Sequence, residues 1–183
     1  MTATVVLLNG VGSVGKGSVA KALQEVTREP FLHVAMDAFL DMLPPAYWDH
    51  DEGLRFVPRS LDGETAIEVT SGAVSERLLA GMRLAVRALA EAGNNVIVDE
   101  VAERAAMAEY ERLLAPFRLY RVALMAPLAV LEERERARGD RMLGLARWQV
   151  AHLHEGQRYD LEVDTSAMTP LQCAEKIRAA FGL

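Results

Sequence analysis

The segment Gly10-Val11-Gly12-Ser13-Val14-Gly15-Lys16 constrains this chain more than any other stretch. Its G-x-x-x-x-G-K spacing follows the β-branched run Thr4–Leu8 and precedes a helical pattern from Ser18 to about Arg28. A loop of that length between strand and helix can curl its backbone N–H groups around a phosphate. Glycines are needed because the turn uses conformations that a Cβ obstructs, and the new helix presents its positive dipole end to the anion. Lys16 then reaches the β- and γ-phosphates. The plainer alternative is a Gly-rich turn before an ordinary helix; the strand–loop–helix context favours the cradle. Gly10, Val11, Gly12, Ser13, Val14, Gly15, Lys16, Gly17 and Ser18 are therefore the expected nucleotide-binding residues. One position departs from the pattern. Where Ser or Thr would offer a hydroxyl to Mg²⁺, the chain has Gly17, with Ser18 one place later. One residue along a helix is a rotation of about 100° and a rise of about 1.5 Å, so Ser18 is no simple substitute. Water in place of the hydroxyl is the favoured expectation, with a local register shift or weakened metal binding as alternatives.

The rest of the chain alternates strands and helices. Phe31–Ala35 reads as a second strand, Val96–Val98 as a fully apolar strand core, Leu119–Met125 as another, and Glu162–Val163 as a short one. Thr65–Val69 is a further strand candidate, and Asp41–Gly63 reads as irregular, with Pro44, Pro45, Gly53 and Pro58. Val74, Leu78, Met82, Val86 and Leu89 fall on one face of a helix that Gly93 can end. Helices are also expected over Ala102–Leu114, after Pro127, around Met142–His154, and from the capping-box spacing Thr169-Pro170-Leu171-Gln172 to about Phe181. Strands separated by long helices imply crossover units, hence an α/β three-layer domain with a mainly parallel sheet and helices on both faces. At 183 residues the chain is expected to form one domain spanning 1–183.

Composition excludes several classes. With 51% apolar and 25% charged residues the chain can fold around a core, so global disorder is ruled out. No run approaches 18 apolar residues, and the uncharged Met1-Thr2-Ala3-Thr4 argues against a secretory signal. A net charge of −6 gives no electrostatic reason to bind nucleic acid or an anionic membrane. Cys173 alone can form neither an internal disulfide nor a zinc site. The expectation is a cytoplasmic protein with a small-molecule partner, its state monomeric or homo-oligomeric.

Two acids follow apolar strands. Asp37 lies where ligands bind open parallel sheets, and there it could accept an attacking hydroxyl's proton and orient its oxygen. It could equally be the N-cap of a helix over Ala38–Met42. Asp99, after Val96-Ile97-Val98, is the candidate Mg²⁺ ligand, with a helix cap or turn as the alternative and Glu100 as the neighbouring candidate. Arg134, Arg138 and Arg141 share a face if their segment is helical. Such a face, in a lid-like segment about 132–153, could close over a polyphosphate, or it could be a solvated helix screened by Glu132, Glu133 and Glu135. His154 is more readily a structural hydrogen-bonding group than a substrate contact. Tyr47, Trp48 and Phe56 could line an apolar pocket, whereas Phe31 reads as core.

Taken together, these residues resemble the chloramphenicol phosphotransferase family of P-loop (Walker A) kinase-like proteins. The resemblance rests on Leu7-Leu8-Asn9-Gly10, Asp37, Val98-Asp99-Glu100 and Ala137-Arg138-Gly139-Asp140-Arg141. Its most specific part is His154-Glu155-Gly156, Tyr159-Asp160 and Glu162-Val163-Asp164-Thr165 in that order. The resemblance implies ATP- and Mg²⁺-dependent phosphorylation of a drug hydroxyl, hence antibiotic resistance. It further implies that Asp37 is the catalytic aspartate and that Lys16, Arg134 and Arg138 handle phosphate. A nucleotide-binding switch without transfer activity, or a kinase of another small alcohol, are the competing readings. Gly17 departs from the family's Gly-Lys-Ser, and the Asp41–Gly63 loop also diverges.

Overall fold

The computed structural model describes residues 2–138 and 142–183. Strand β1 (Thr4–Asn9) is buried along its whole length and lies at the centre of a five-stranded sheet. Its neighbours are β5 (Asn95–Glu100) and β6 (Arg118–Met125); β2 (Phe31–Ala35) flanks β5, and β7 (Leu161–Asp164) flanks β6. Every pairing within this sheet is parallel, as the crossover argument required. A strand covered on both faces has no polar side, which is why Thr4–Leu8 carries an unbroken apolar run. Alternation divides that run between two cores. Val6 and Leu8 pack with α1 (Lys16–Val26) and α7 (Pro170–Phe181), while Val5 and Leu7 pack with α3 (Ala73–Glu91) and α4 (Arg104–Leu113). The capping box is present: Thr169 Oγ1 accepts the Gln172 N–H, and the Gln172 side chain accepts the Thr169 N–H.

The expectation of an irregular Asp41–Gly63 fails. Short helix α2 (Met36–Leu40) and a single 3₁₀ turn at Pro45–Tyr47 lead into β3 (Leu54–Leu61), which pairs antiparallel with β4 (Glu64–Ser71). The turn residues Asp62 and Gly63 have φ of 53° and 82°, the left-handed pair that matches the twist of a two-residue hairpin. Proline discouraged the strand assignment, yet Pro58 lies in a two-stranded ribbon opposite Ile67, where a missing N–H is tolerated. Helix α5 (Leu128–Arg138) follows β6, and α6 (Leu145–His152) packs on β4, where the Ile67 N–H donates to the Gly144 carbonyl at 2.9 Å. The lid-like segment of the sequence thus contains the end of α5 and α6. Among the described residues no helix is long and apolar enough to cross a membrane.

Register fixes what meets at the carboxyl edge. Asp99 is opposite Leu8 on one side and Ala35 on the other. The loop after β1, the acid ending β5 and the first turn of α2 therefore open on the same edge of the sheet.

Candidate active site

The loop between β1 and α1 is held open by its glycines. Gly15 has φ of 97° and caps α1, and a Cβ on Gly10 would lie 2.7 Å from the Leu124 carbonyl oxygen. Lys16 folds across the loop and donates through Nζ to the Gly10 and Val11 carbonyls at 2.9 and 3.1 Å. The outer wall is braced from far away in sequence. Thr165 Oγ1 donates to the Val14 carbonyl at 2.8 Å, and Arg134 donates to Val14 O, Thr165 Oγ1 and Thr165 O at 3.4, 3.1 and 2.8 Å. Ser13 Oγ is buried with no hydrogen-bond partner among the described residues. An orphaned hydroxyl inside a Gly-rich turn, beside an ammonium and a helix amino terminus, is the chemistry a phosphate group satisfies. The residues fit a nucleotide's phosphates.

Sequence reading missed Gln149. Its Oε1 accepts the Gly12 N–H at 2.6 Å, placing α6 directly over the loop. No local pattern announces a contact spanning 137 residues. A cavity of about 440 Å³ opens beside the loop, lined by Ser13, Val19, Arg134, Arg138, Met168 and Pro170 among others. Arg138 is exposed at the end of α5 and borders this cavity, whereas the Arg134 guanidinium faces the backbone of the loop and of Thr165. Arg141, with Gly139 and Asp140, lies outside the described residues.

Asp99 and Glu100 part company. Asp99 Oδ1 lies 3.9 Å from Lys16 Nζ, and its Oδ2 lies 3.6 Å from His33 Nε2. A Cβ built on Gly17 would come 3.4 Å from the same Oδ2. The position that lacks a hydroxyl therefore faces Asp99 directly, so Asp99 fits a cation there although Gly17 contributes nothing to it. Among the described residues no cluster of three or more His, Cys, Asp or Glu side chains could enclose a metal. A Mg²⁺ at Asp99 would draw its other ligands from phosphate oxygens and water, as this ion commonly does. Glu100 points to the other face and is buried. It accepts from Tyr110 Oη at 2.5 Å and from Arg83 Nη1 at 3.1 Å. Burial pushes the carboxyl of Glu100 above its ordinary value, opposed by Tyr110 and Arg83; the Tyr110 phenol is pushed up as well, first by burial and then by Glu100. Both Glu100 oxygens have protein partners, so Glu100 is no metal ligand. Asp37 lies inside the first turn of α2, whose N-cap is Ala35. This corrects the capping alternative: the helix begins two residues earlier than the sequence suggested.

The His154–Tyr159 motif proves to be a brace at the loop's entry. The Ala102 N–H donates to Asn9 Oδ1 at 2.8 Å, which fixes the Asn9 amide. Asn9 Nδ2 then donates to Ala102 O and to Tyr159 Oη, both at 2.9 Å. Tyr159 Oη also shares a hydrogen bond with His154 Nδ1 at 2.8 Å. Burial, reinforced by the Lys16 charge, holds His154 below its ordinary pKa, and burial raises Tyr159 to about 12. Asp160 forms a two-pronged pair with Arg121 on the surface, which lowers its carboxyl. Cys173 is buried, as expected for a small apolar residue.

Comparisons with known proteins agree with this architecture. A Mycobacterium tuberculosis protein named "Putative O-phosphotransferase Rv2636" is 29% identical over 186 residues, covering 97% of this chain and 81% of that protein. The Mycobacterium tuberculosis APS kinase CysC, solved with AMPPNP and APS, superposes with a TM-score of 0.70 at 17% identity, covering 100% of this chain and 99% of that one. The Deinococcus radiodurans tunicamycin resistance protein gives 0.69 at 19% identity, covering 99% and 96%. At such identities these two show the fold alone, a P-loop kinase fold. The model of the family "Chloramphenicol phosphotransferase-like protein" matches residues 3–182, and the chain belongs to that family.

Proposed function

We propose that this chain is an ATP-dependent O-phosphotransferase that moves the γ-phosphoryl group to a hydroxyl of a small alcohol, with chloramphenicol or a related antibiotic as the leading candidate acceptor. The observation that carries the reading is the meeting, at one sheet edge, of the Gly10–Ser18 loop with Lys16, the Asp99 carboxylate, and Asp37 on the first turn of α2. The loop amides and Lys16 would hold the polyphosphate and neutralise charge on it. Asp37 would orient the acceptor hydroxyl and take its proton as the new phosphate ester forms and ADP leaves. Mg²⁺ near Asp99 would supply further charge neutralisation when bound. Arg138, on the cavity rim, would reach a nucleotide. Arg134 would act through the loop it braces. The family's description supports the antibiotic acceptor, and the aromatic residues Trp48 and Phe56, stacked with centroids 6.4 Å apart, offer an apolar surface beyond α2.

The test is a panel of alcohol-bearing antibiotics incubated with ATP and followed by mass spectrometry. The expected result is ATP-dependent gain of one phosphoryl group on at least one compound. Asp37→Asn should abolish that gain while ATP affinity stays within about threefold, because the carboxylate acts on the acceptor. Transfer surviving in Asp37→Asn would remove its assignment. Gly17 favours a second reading, a nucleotide-binding switch without transfer. Tight ATP binding with no acceptor-dependent ADP release would select the switch, and no calorimetric heat with ATP or GTP would defeat both.

A further inference from the structure

We infer that His33 supplies the cation ligand that Gly17 lacks, so that this site holds its divalent ion through one carboxylate oxygen and one imidazole nitrogen. The inference deepens the proposed function and rests on it. His33 lies on β2, beside Ile97 of the adjacent strand, and its side chain reaches forward along the sheet to Asp99. Nε2 is buried and has no hydrogen-bond partner among the described residues. Its 3.6 Å separation from Asp99 Oδ2 is too long for a hydrogen bond. It suits a shared ion better: two ligands each about 2.1 Å from a cation lie roughly 3.0–3.4 Å apart for octahedral or tetrahedral angles. A small closing movement would complete such a pair.

The third observation is where this pair points. Asp99 Oδ2 faces both His33 and the empty side-chain position of Gly17, whose built Cβ would be 3.4 Å away. An imidazole thus approaches, from β2, the oxygen that a hydroxyl on α1 would have approached from the other side. The consequence is chemical. Oxygen-only sites suit Mg²⁺, whereas an imidazole ligand strengthens binding of later first-row ions such as Co²⁺. This site should therefore discriminate less in favour of Mg²⁺ than one built with a hydroxyl.

The experiment uses the full chain with a non-hydrolysable ATP analogue and Mn²⁺ as a paramagnetic probe. Pulsed electron paramagnetic resonance should show nitrogen modulation from a directly bound imidazole. That modulation should change on ¹⁵N-histidine labelling and vanish in His33→Ala, while persisting in His154→Ala. By calorimetry, His33→Ala should weaken Co²⁺ binding by about tenfold or more, since even supporting groups of metal ligands carry effects of that size. Mg²⁺ affinity should fall as well, by a smaller factor than Co²⁺ affinity. Gly17→Ser combined with His33→Ala should shift the preference back toward Mg²⁺. Absence of nitrogen modulation in the wild-type complex overturns the inference, as does modulation that survives His33→Ala. Analogue binding measured in chelator separates the two levels. Without it the phosphotransferase reading fails too; with it, a missing nitrogen signal removes only His33.

Discussion

Asp99 and Glu100 are adjacent carboxylates at the end of one strand, yet the two faces of that strand give them opposite employment. Successive side chains on a strand point to opposite sides. Asp99 meets the phosphate loop, where its neighbours Lys16 and His33 stand at 3.9 and 3.6 Å, beyond hydrogen-bond reach. Glu100 meets α3 and α4, where Arg83 and Tyr110 hold both its oxygens and Arg83 also reaches Glu109 at 2.5 Å. A carboxylate with satisfied oxygens locks helices onto a sheet. One left with open coordination can receive an ion. The difference teaches that the closeness of the partners, more than burial, separates an acid locked into the core from one facing the loop, since both side chains are 15% exposed or less.

Four substitutions would break or sharpen the contrast. The largest expected effect is Asp99→Asn, which should lower phosphoryl transfer by roughly 10²–10³-fold, the scale of a lost electrostatic stabiliser, with unchanged urea midpoint. A matching loss of stability would erase the distinction. Glu100→Ala should do the reverse, because it leaves Arg83 with Glu109 alone, orphans the buried Tyr110 hydroxyl and empties a buried site: chemical denaturation should show a loss of about 3–5 kcal/mol, with transfer retained in the folded fraction. Tyr110→Phe is gentler, removing one hydrogen bond to a carboxylate whose other oxygen stays paired, and about 1–2 kcal/mol is expected by the same measurement. The smallest effect concerns pH. His154 is held below its ordinary value of 6.5, so below that pH the unfolded chain binds the proton more readily than the folded one. Stability should accordingly decline as pH falls through about 6.5. His154→Gln should flatten that part of the profile; a profile identical to wild type would show that His154 does not contribute to it.

Much of this was legible from local pattern. The phosphate loop, Phe31–Ala35, the capping box at Thr169 and the parallel sheet all follow from spacing and apolar runs, because each depends on residues close in the chain. Thr65–Val69 was legible as part of β4, but strand β3 escaped for a local reason, since Pro58 masked a strand that the Asp62-Gly63 turn would have revealed. The site was legible only in outline. Residue type named Asp99 and Lys16, but nothing short-range shows that Gln149 covers Gly12, that Arg134 faces the loop backbone, or that His33 stands beside Asp99. Those facts belong to sheet order and helix docking, which no window of neighbouring residues contains.

The clasp of Thr165 and Arg134 on Val14 has an implication for synthesis. The loop near the amino terminus is shaped by a hydroxyl 151 residues downstream, and Asn9 by a phenol 150 residues downstream. A growing polypeptide therefore leaves the ribosome with its first strand and loop long before the groups that set their final geometry exist. Long-range contacts of this kind slow folding. The loop's final geometry should accordingly arrive late, only after Thr165 has been made, and a ribosome stalled before Tyr159 would display a nascent chain whose loop has neither brace.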